Sequence, residues 1–216
     1  VKQVNYIQAS AKPIQDSLIR LFSTLRNLKE NKNAFVFMIA YFFYIDGVDT
    51  TIRMATVYGV DIGLSSEMLL LVMLVVQIVA FPFALLYGML AKRFSAKKML
   101  LTGIGVYFII IGMAYFLPVL PSHDLKIKIF WTLAILVATS QGGIQALSRS
   151  YFGKLIPKEK SAEFFGFYNI FGKFAVIMGP FLMGVATRLT GQSRFGILSL
   201  LILFIAGGLI LLKVRE

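Results

Sequence analysis

Hydrophobic and polar positions in this chain fall in long blocks. Six stretches, near Ala34–Val60, Glu67–Ala91, Met99–Leu117, Ile127–Leu147, Phe164–Arg188 and Phe195–Lys213, are predominantly apolar. A helix needs about 20 such residues to cross a bilayer, so each stretch predicts a membrane-spanning helix. The expected fold class is an all-α membrane protein, a six-transmembrane-helix bundle. The gap between the first two stretches, Asp61 to Ser66, is short enough to make them an antiparallel pair. Ahead of them, Ile14, Leu18, Leu21, Phe22, Leu25 and Leu28 recur at helical spacing in the basic segment Lys12–Lys32. That pattern predicts an amphipathic helix, lying on the membrane surface, packed on protein as a linker, or both. Residues 1–33 are thus an expected cytoplasmic linker and residues 34–216 the transmembrane domain.

The polar residues left inside the spans are unevenly shared. Spans one, two, four and five hold Asp46, Asp49, Arg53, Gln77, Gln141, Gln145, Asn169 and Lys173, whereas spans three and six carry no charge in their apolar cores. Polar groups within a membrane face a bundle interior or a water-filled cavity. Spans three and six are therefore expected at the periphery, and the other four around something polar. The order polar–polar–apolar occurs twice, a three-plus-three pattern of the kind that inverted repeats produce in transporters.

Charge sets the orientation. The lysines and arginines lie mostly between the spans, and an even number of spans leaves both termini on one side. That side collects 16 of them, and the other has only Lys126, Lys128, Arg188 and Arg194. Positive loops stay in the cytoplasm, so both termini are expected there. The net charge of +12 then reflects membrane topology, and nucleic acid is not an expected partner. Hydrophobic residues make up 58% and charged residues 15% of the chain, against about 45–50% and about 25% in soluble domains. With no cysteine, and with the single histidine, His123, in a short polar loop, thiolate chemistry, disulfides and histidine-based triads or metal clusters are excluded. No phosphate loop or paired metal carboxylates stand out, so neither a cofactor nor an enzymatic activity is expected. The chain opens without Met and without an apolar signal segment, which points to a piece of a longer protein.

Candidate chemistry concentrates in Tyr44-Ile-Asp-Gly-Val-Asp-Thr-Thr-Ile-Arg53. Asp46, Asp49 and Arg53 share one helix face, and Asp49 with Arg53 makes an acid–base pair one turn apart. Gly47 and the two threonines that follow Asp49 can support a break that frees backbone carbonyls. Two acids against one base leave a carboxylate for a substrate or a coupling ion; the alternative is a salt bridge that locks the helix. Lys173, with Asn169 one turn earlier, can pair with that spare carboxylate or snorkel to the cytoplasmic interface. Gly172, Gly179, Gly184 and Pro180 predict close packing and a bend. Gln141 and Gln145, on one face of span four, can bind substrate or a neighbouring helix.

Two further segments carry a resemblance. Gly88-Met-Leu-Ala-Lys-Arg-Phe-Ser-Ala-Lys-Lys-Met-Leu100 resembles the cytoplasmic loop signature of the major facilitator superfamily, Gly-x-Leu-Ala-Asp-Arg-x-Gly-x-Lys/Arg. Gly88, Leu90, Ala91, Arg93, Lys97 and Lys98 match, while Lys92 replaces the acid and Ser95 the second glycine. Ala146-Leu-Ser-Arg-Ser-Tyr-Phe-Gly-Lys-Leu-Ile-Pro157 and Glu163-Phe-Phe-Gly-Phe-Tyr-Asn-Ile-Phe-Gly-Lys173 add to it. With Asp46-Gly-Val-Asp-Thr50 and Thr190-Gly-Gln-Ser-Arg-Phe-Gly196, the chain resembles the vacuole-effluxer-like branch, which holds bacterial permeases and a fungal vacuolar amino-acid effluxer.

The resemblance implies the C-terminal half of a twelve-helix transporter, with the N-terminal six-helix half, membrane lipid and a small solute as partners. Spans one and four would line the central cavity, two and five would face the other half, and three and six would be peripheral. The function expected is secondary transport by alternating access, driven by an ion gradient, in a bacterial cell membrane. Amino acids are the solute class that the resemblance suggests. Asp46 and Asp49 would couple or bind, Arg53 would pair with them, and Gln141, Gln145, Asn169 and Lys173 would line the path. The loops at Gly88, Arg93, Lys97 and Lys98 and at Arg149 would set the cytoplasmic gate. The alternative is a non-transporting receptor or scaffold built on the same fold.

Overall fold

In the computed structural model, residues 30–215 are described, and all their regular structure is helical. The helices are α1 (Lys32–Asp61), α2 (Ser66–Phe94), α3 (Ala96–Phe116), α4 (His123–Leu155), α5 (Ser161–Ala175), α6 (Met178–Thr190), α7 (Ser193–Ser199) and α8 (Leu201–Leu212). They make six spans long and apolar enough to cross a membrane. The first four are single helices; the fifth joins α5 to α6 and the sixth joins α7 to α8. The amphipathic helix expected over Lys12–Lys32 lies, up to residue 29, outside the described residues.

Local chemistry explains the ends. The Ser65 hydroxyl accepts the Met68 N–H at 3.3 Å and caps α2, while Lys92 and Arg93 occupy its last turn, where cations meet the helix dipole. Gly63 (φ +86°) and Gly191 (φ +70°) turn the chain after α1 and α6 in backbone conformations that suit glycine. α4 stops at Leu155 because Ile156 precedes Pro157 and is held extended at ψ 150°. It therefore runs eight residues beyond the predicted end of span four.

Span five breaks where Pro180 lacks the N–H that would bond the Val176 carbonyl one turn back. α5 ends at Ala175 and α6 begins at Met178. The bend expected from the glycines and Pro180 is thus an interruption of the helix.

Packing follows a three-plus-three plan. Span two lies on span four and span five on span one; span three lies on four and six on one; two meets three and five meets six. Spans one and four touch each other, as do three and six. Exchanging each span for the one three places on maps these neighbours onto themselves, and the contact of span one with span two stands outside that pattern. Consecutive spans cross in opposite senses, so the two sets of three are inverted.

Spans three and six are not merely peripheral. Tyr107 and Ile111 of α3 and Phe204 and Leu211 of α8 are wholly buried, and the Tyr107 and Phe204 rings stack at 4.9 Å. Only their outward faces, with Ile109, Phe116, Ile205 and Leu209, are exposed. Spans two and five are the open ones: 22% and 17% of their apolar windows are buried, against 44% and 39% for three and six. Apolarity could not separate these cases, because lipid tails and apolar side chains are equivalent surroundings for an apolar residue.

Span six reaches span one through Gly207. A Cβ there would sit 2.8 Å from the Tyr44 nitrogen and 2.9 Å from its Cβ, both fixed parts of α1. Gly207→Val is expected to lower the unfolding free energy by about 1–3 kcal/mol, read as a reduced thermal midpoint in detergent. Ser95, where the resemblance expects glycine, has φ +82° and ψ 150°, a region that costs a side chain about 1–3 kcal/mol. Its hydroxyl accepts the Lys98 N–H at 3.4 Å, and a glycine in place of a serine cap loses only a few tenths of a kcal/mol. Strain relief wins, so Ser95→Gly is expected to raise stability by about 1 kcal/mol in the same measurement.

Candidate functional site

The acidic segment of span one lies on an unbroken helix. The break expected near Gly47 does not occur there. The Thr51 hydroxyl donates to the Gly47 carbonyl at 2.7 Å and holds the turn together. Gly47 instead admits the Phe204 ring, whose Cε2 would lie 2.7 Å from an added Cβ.

Asp46 is completely buried. Its Oδ2 accepts the backbone N–H of Gly179 at 2.8 Å, and its Oδ1 accepts the Thr50 hydroxyl at 3.1 Å. Gly179 stands in the first turn of α6, just past the break in span five. This approach requires a glycine: a Cβ would overlap Thr50 and lie 2.8 Å from Asp46 Oδ1. The spare carboxylate thus takes its hydrogen bonds from a helix N-terminus and a hydroxyl, not from Lys173, which is exposed on α5.

The other two members of the predicted triad part from Asp46 in burial. Asp49 is half-buried and Arg53 exposed, with the Arg53 charge acting on the Asp49 carboxylate. Gln141 and Gln145 also separate. Gln145 is exposed, whereas Gln141 is buried. Gln141 lines an apolar cleft between spans one, two and four, together with Gln77, Ile52, Leu69 and Phe130. The Gln141 Oε1 finds no donor there.

Arg149, expected in the loop after span four, lies inside α4, because that helix continues to Leu155. Its Nη1 donates to Asn169 Oδ1 of α5 at 3.4 Å, and its guanidinium stands 5.2 Å from the centre of the Phe165 ring. The structure therefore joins a gate candidate to a lining candidate across spans four and five. Gln145, Arg149, Asn169 and Lys173 are all exposed.

The gate candidates expected in a loop between spans two and three stand on helices, because α2 runs to Phe94 and α3 starts at Ala96. Gly88, in α2, has open space around it, and Arg93, in its last turn, lies over Phe94 at 5.4 Å. Lys97 Nζ donates to the carbonyls of Leu212 and Val214 at 2.8 and 2.7 Å, a cation closing the C-terminal end of α8. Lys98 is exposed.

Sequence reasoning missed an aromatic and hydroxyl cluster around the N-terminal half of α1. The Tyr44 hydroxyl and Ser148 Oγ share a hydrogen bond of 2.7 Å between spans one and four. Tyr41 stacks on Tyr168 of α5 at 4.3 Å, and Phe152 stacks on Tyr168 at 5.0 Å. Asn31 Nδ2 donates to the Leu155 carbonyl at 2.7 Å. The signal was present in Tyr41-Phe-Phe-Tyr44, four adjacent aromatics of which two carry hydroxyls that need partners in an apolar span.

The family profile described as "Vacuole effluxer Atg22 like" matches residues 3–216. A Bacillus subtilis protein named "Uncharacterized MFS-type transporter YxiO" is 51% identical over 216 residues, which are 100% of this chain and 49% of that protein. "Autophagy-related protein 22" of Vanderwaltozyma polyspora is 31% identical over 193 residues, covering 86% of this chain and 36% of its own length. The Saccharomyces cerevisiae protein of that name is 30% identical over 185 residues, covering 82% and 34%. The chain spans about half the length of the first of these relatives and about a third of the others. This chain belongs to the Atg22-like vacuole effluxer family.

Proposed function

We propose that this chain is one half of a secondary transporter that moves a small solute across a membrane by alternating access, driven by an ion gradient. The observation that carries the reading is the open polar face on spans one, four and five. Asp49 is half-buried there, and Arg53, Gln145, Arg149, Asn169 and Lys173 are exposed. Ionisable groups at membrane depth are costly against lipid and belong to water-filled paths or protein partners.

The exposed apolar faces of spans two and five, with Leu74, Ile78 and Phe81 on one and Phe174, Ile177 and Phe181 on the other, support a second six-helix half packed against them. The matching relatives are about twice and about three times as long as the matched segment. One relative's name includes "MFS-type transporter" and the family's includes "effluxer". The positive-inside count supports cytoplasmic termini, and the bacterial relative supports a bacterial cell membrane. Amino acids are the first solutes to test.

In this reading Asp49, with Arg53 beside it on span one, couples the ion to the solute, and Gln141, Gln145, Asn169 and Lys173 line the path. Arg149 and the junction of α2 with α3, from Gly88 to Lys98, work the cytoplasmic gate. The test is uptake into proteoliposomes by this chain together with its N-terminal half. Gradient-driven uptake is expected, and Asp49→Asn should reduce it at least about tenfold, the loss of one charge-coupled interaction worth about 1.4 kcal/mol. The six-helix chain alone should show none, and robust uptake by a demonstrated monomer would sink the half-transporter reading. If no solute in a broad screen is moved by the paired halves or raises their thermal midpoint, a receptor or scaffold takes its place.

A further inference from the structure

The two acids of span one are not equivalent, and their surroundings divide the work. Asp46 is wholly buried between α1 and the break in span five. A carboxylate in such a place is expensive unless it is met by hydrogen bonds and opposite charge. It is met by both. The Gly179 N–H, one of the donors that a helix start leaves without a partner, points at Oδ2 over 2.8 Å, and the Thr50 hydroxyl serves Oδ1. α6 runs for 13 residues behind that N–H, so the positive end of its dipole faces the carboxylate.

The charged groups of the surrounding elements stand elsewhere. Asp49 and Arg53 follow on the same helix, the first half-buried and the second exposed. On span five, Lys173 lies six residues before Gly179 and is exposed. Span six brings the apolar ring of Phe204 against Gly47.

We propose that Asp46 is a positioning residue, a cap supplied by span one that fixes where span five breaks, and that Asp49 is the carboxylate left free for exchange. The division into cap and exchanger rests on the transport reading; the cap itself does not. A carboxylate that already satisfies the start of α6 cannot give up its place to a solute or ion without releasing the Gly179 N–H into a dry interior. Asp49, half-buried beside an exposed cation, has no such obligation to span five.

The experiment uses the full transporter, this chain with its N-terminal half, and reads two things. One is amide hydrogen exchange over residues 176–181; the other is the pH profile of flux. Asp46→Ala removes the acceptor and should speed exchange in that segment at least about tenfold, the equivalent of about 1.4 kcal/mol. Asp46→Asn keeps a neutral, weaker acceptor; it should speed exchange a few-fold and leave the shape of the pH profile unchanged. Asp49→Asn should leave exchange at 176–181 as in the wild type and flatten the pH profile.

Wild-type exchange in Asp46→Ala would overturn the cap. A flattened pH profile in Asp46→Asn would overturn the division of roles, since Asp46 would then be the exchanging group. If Asp46→Ala does not fold, Asp46→Asn carries the exchange arm, and no acceleration there overturns the cap. If the paired halves move no solute, the transport reading fails, while the exchange arm still decides the cap on its own.

Discussion

Within a bilayer every backbone donor and acceptor must be satisfied by protein, because the hydrocarbon offers nothing to bond. The rest of this structure is arranged around that constraint. Four spans meet it as continuous helices. Span five cannot, because Pro180 removes one N–H and the chain restarts at Met178. Among the described residues, the donor exposed by that restart at Gly179 is answered by a carboxylate 133 positions away, Asp46 on span one. The ends of other spans are closed in the same way. Asn31 serves the last carbonyl of α4, and Lys97 serves the carbonyls at the end of α8.

The same constraint explains which residues must be small. Helices can approach closely enough for such long-range bonds only where side chains are absent. Gly179 lets span five meet Asp46 and Thr50, and Gly207 lets span six meet the backbone of Tyr44 and Ala40. With no hydrophobic drive between helices in lipid, these close approaches supply the packing that holds the spans together. Span one is the common member of both contacts. It touches spans two, four, five and six, and more than half of its apolar window is buried, the largest share of any span.

The number of spans and most of their limits were legible, because length and hydropathy alone decide whether a helix can cross. The acidic face of span one was legible too, because charges inside an apolar run stand out. What Asp46 does was not. Its partner is a backbone N–H in another span, and no spacing along one helix encodes that. The helix spacing that groups Asp46, Asp49 and Arg53 is real, but burial along the face changes as the neighbouring span turns away. For the same reason Gln141 and Gln145, one turn apart, end in different surroundings. Spans three and six were read as lipid-facing because they lack charge. Half of that was visible: an apolar stripe against protein and one against lipid carry the same residues.

The exposed cations give the clearest physical reason for the proposed second half. Arg53, Arg149 and Lys173 lie exposed on spans one, four and five, and Asp49 is half-buried on the same helix as Arg53. Arg149 has an amide oxygen at 3.4 Å and an aromatic face, which orient a guanidinium without neutralising it. A membrane tolerates such a surface only where it meets water or protein. Spans two and five also expose apolar side chains, among them Leu74, Ile78, Phe174 and Phe181, which can pack against protein. In the proposed two-half carrier, apolar faces of this kind would let the halves rock on each other while the exposed charges meet water first on one side of the membrane and then on the other.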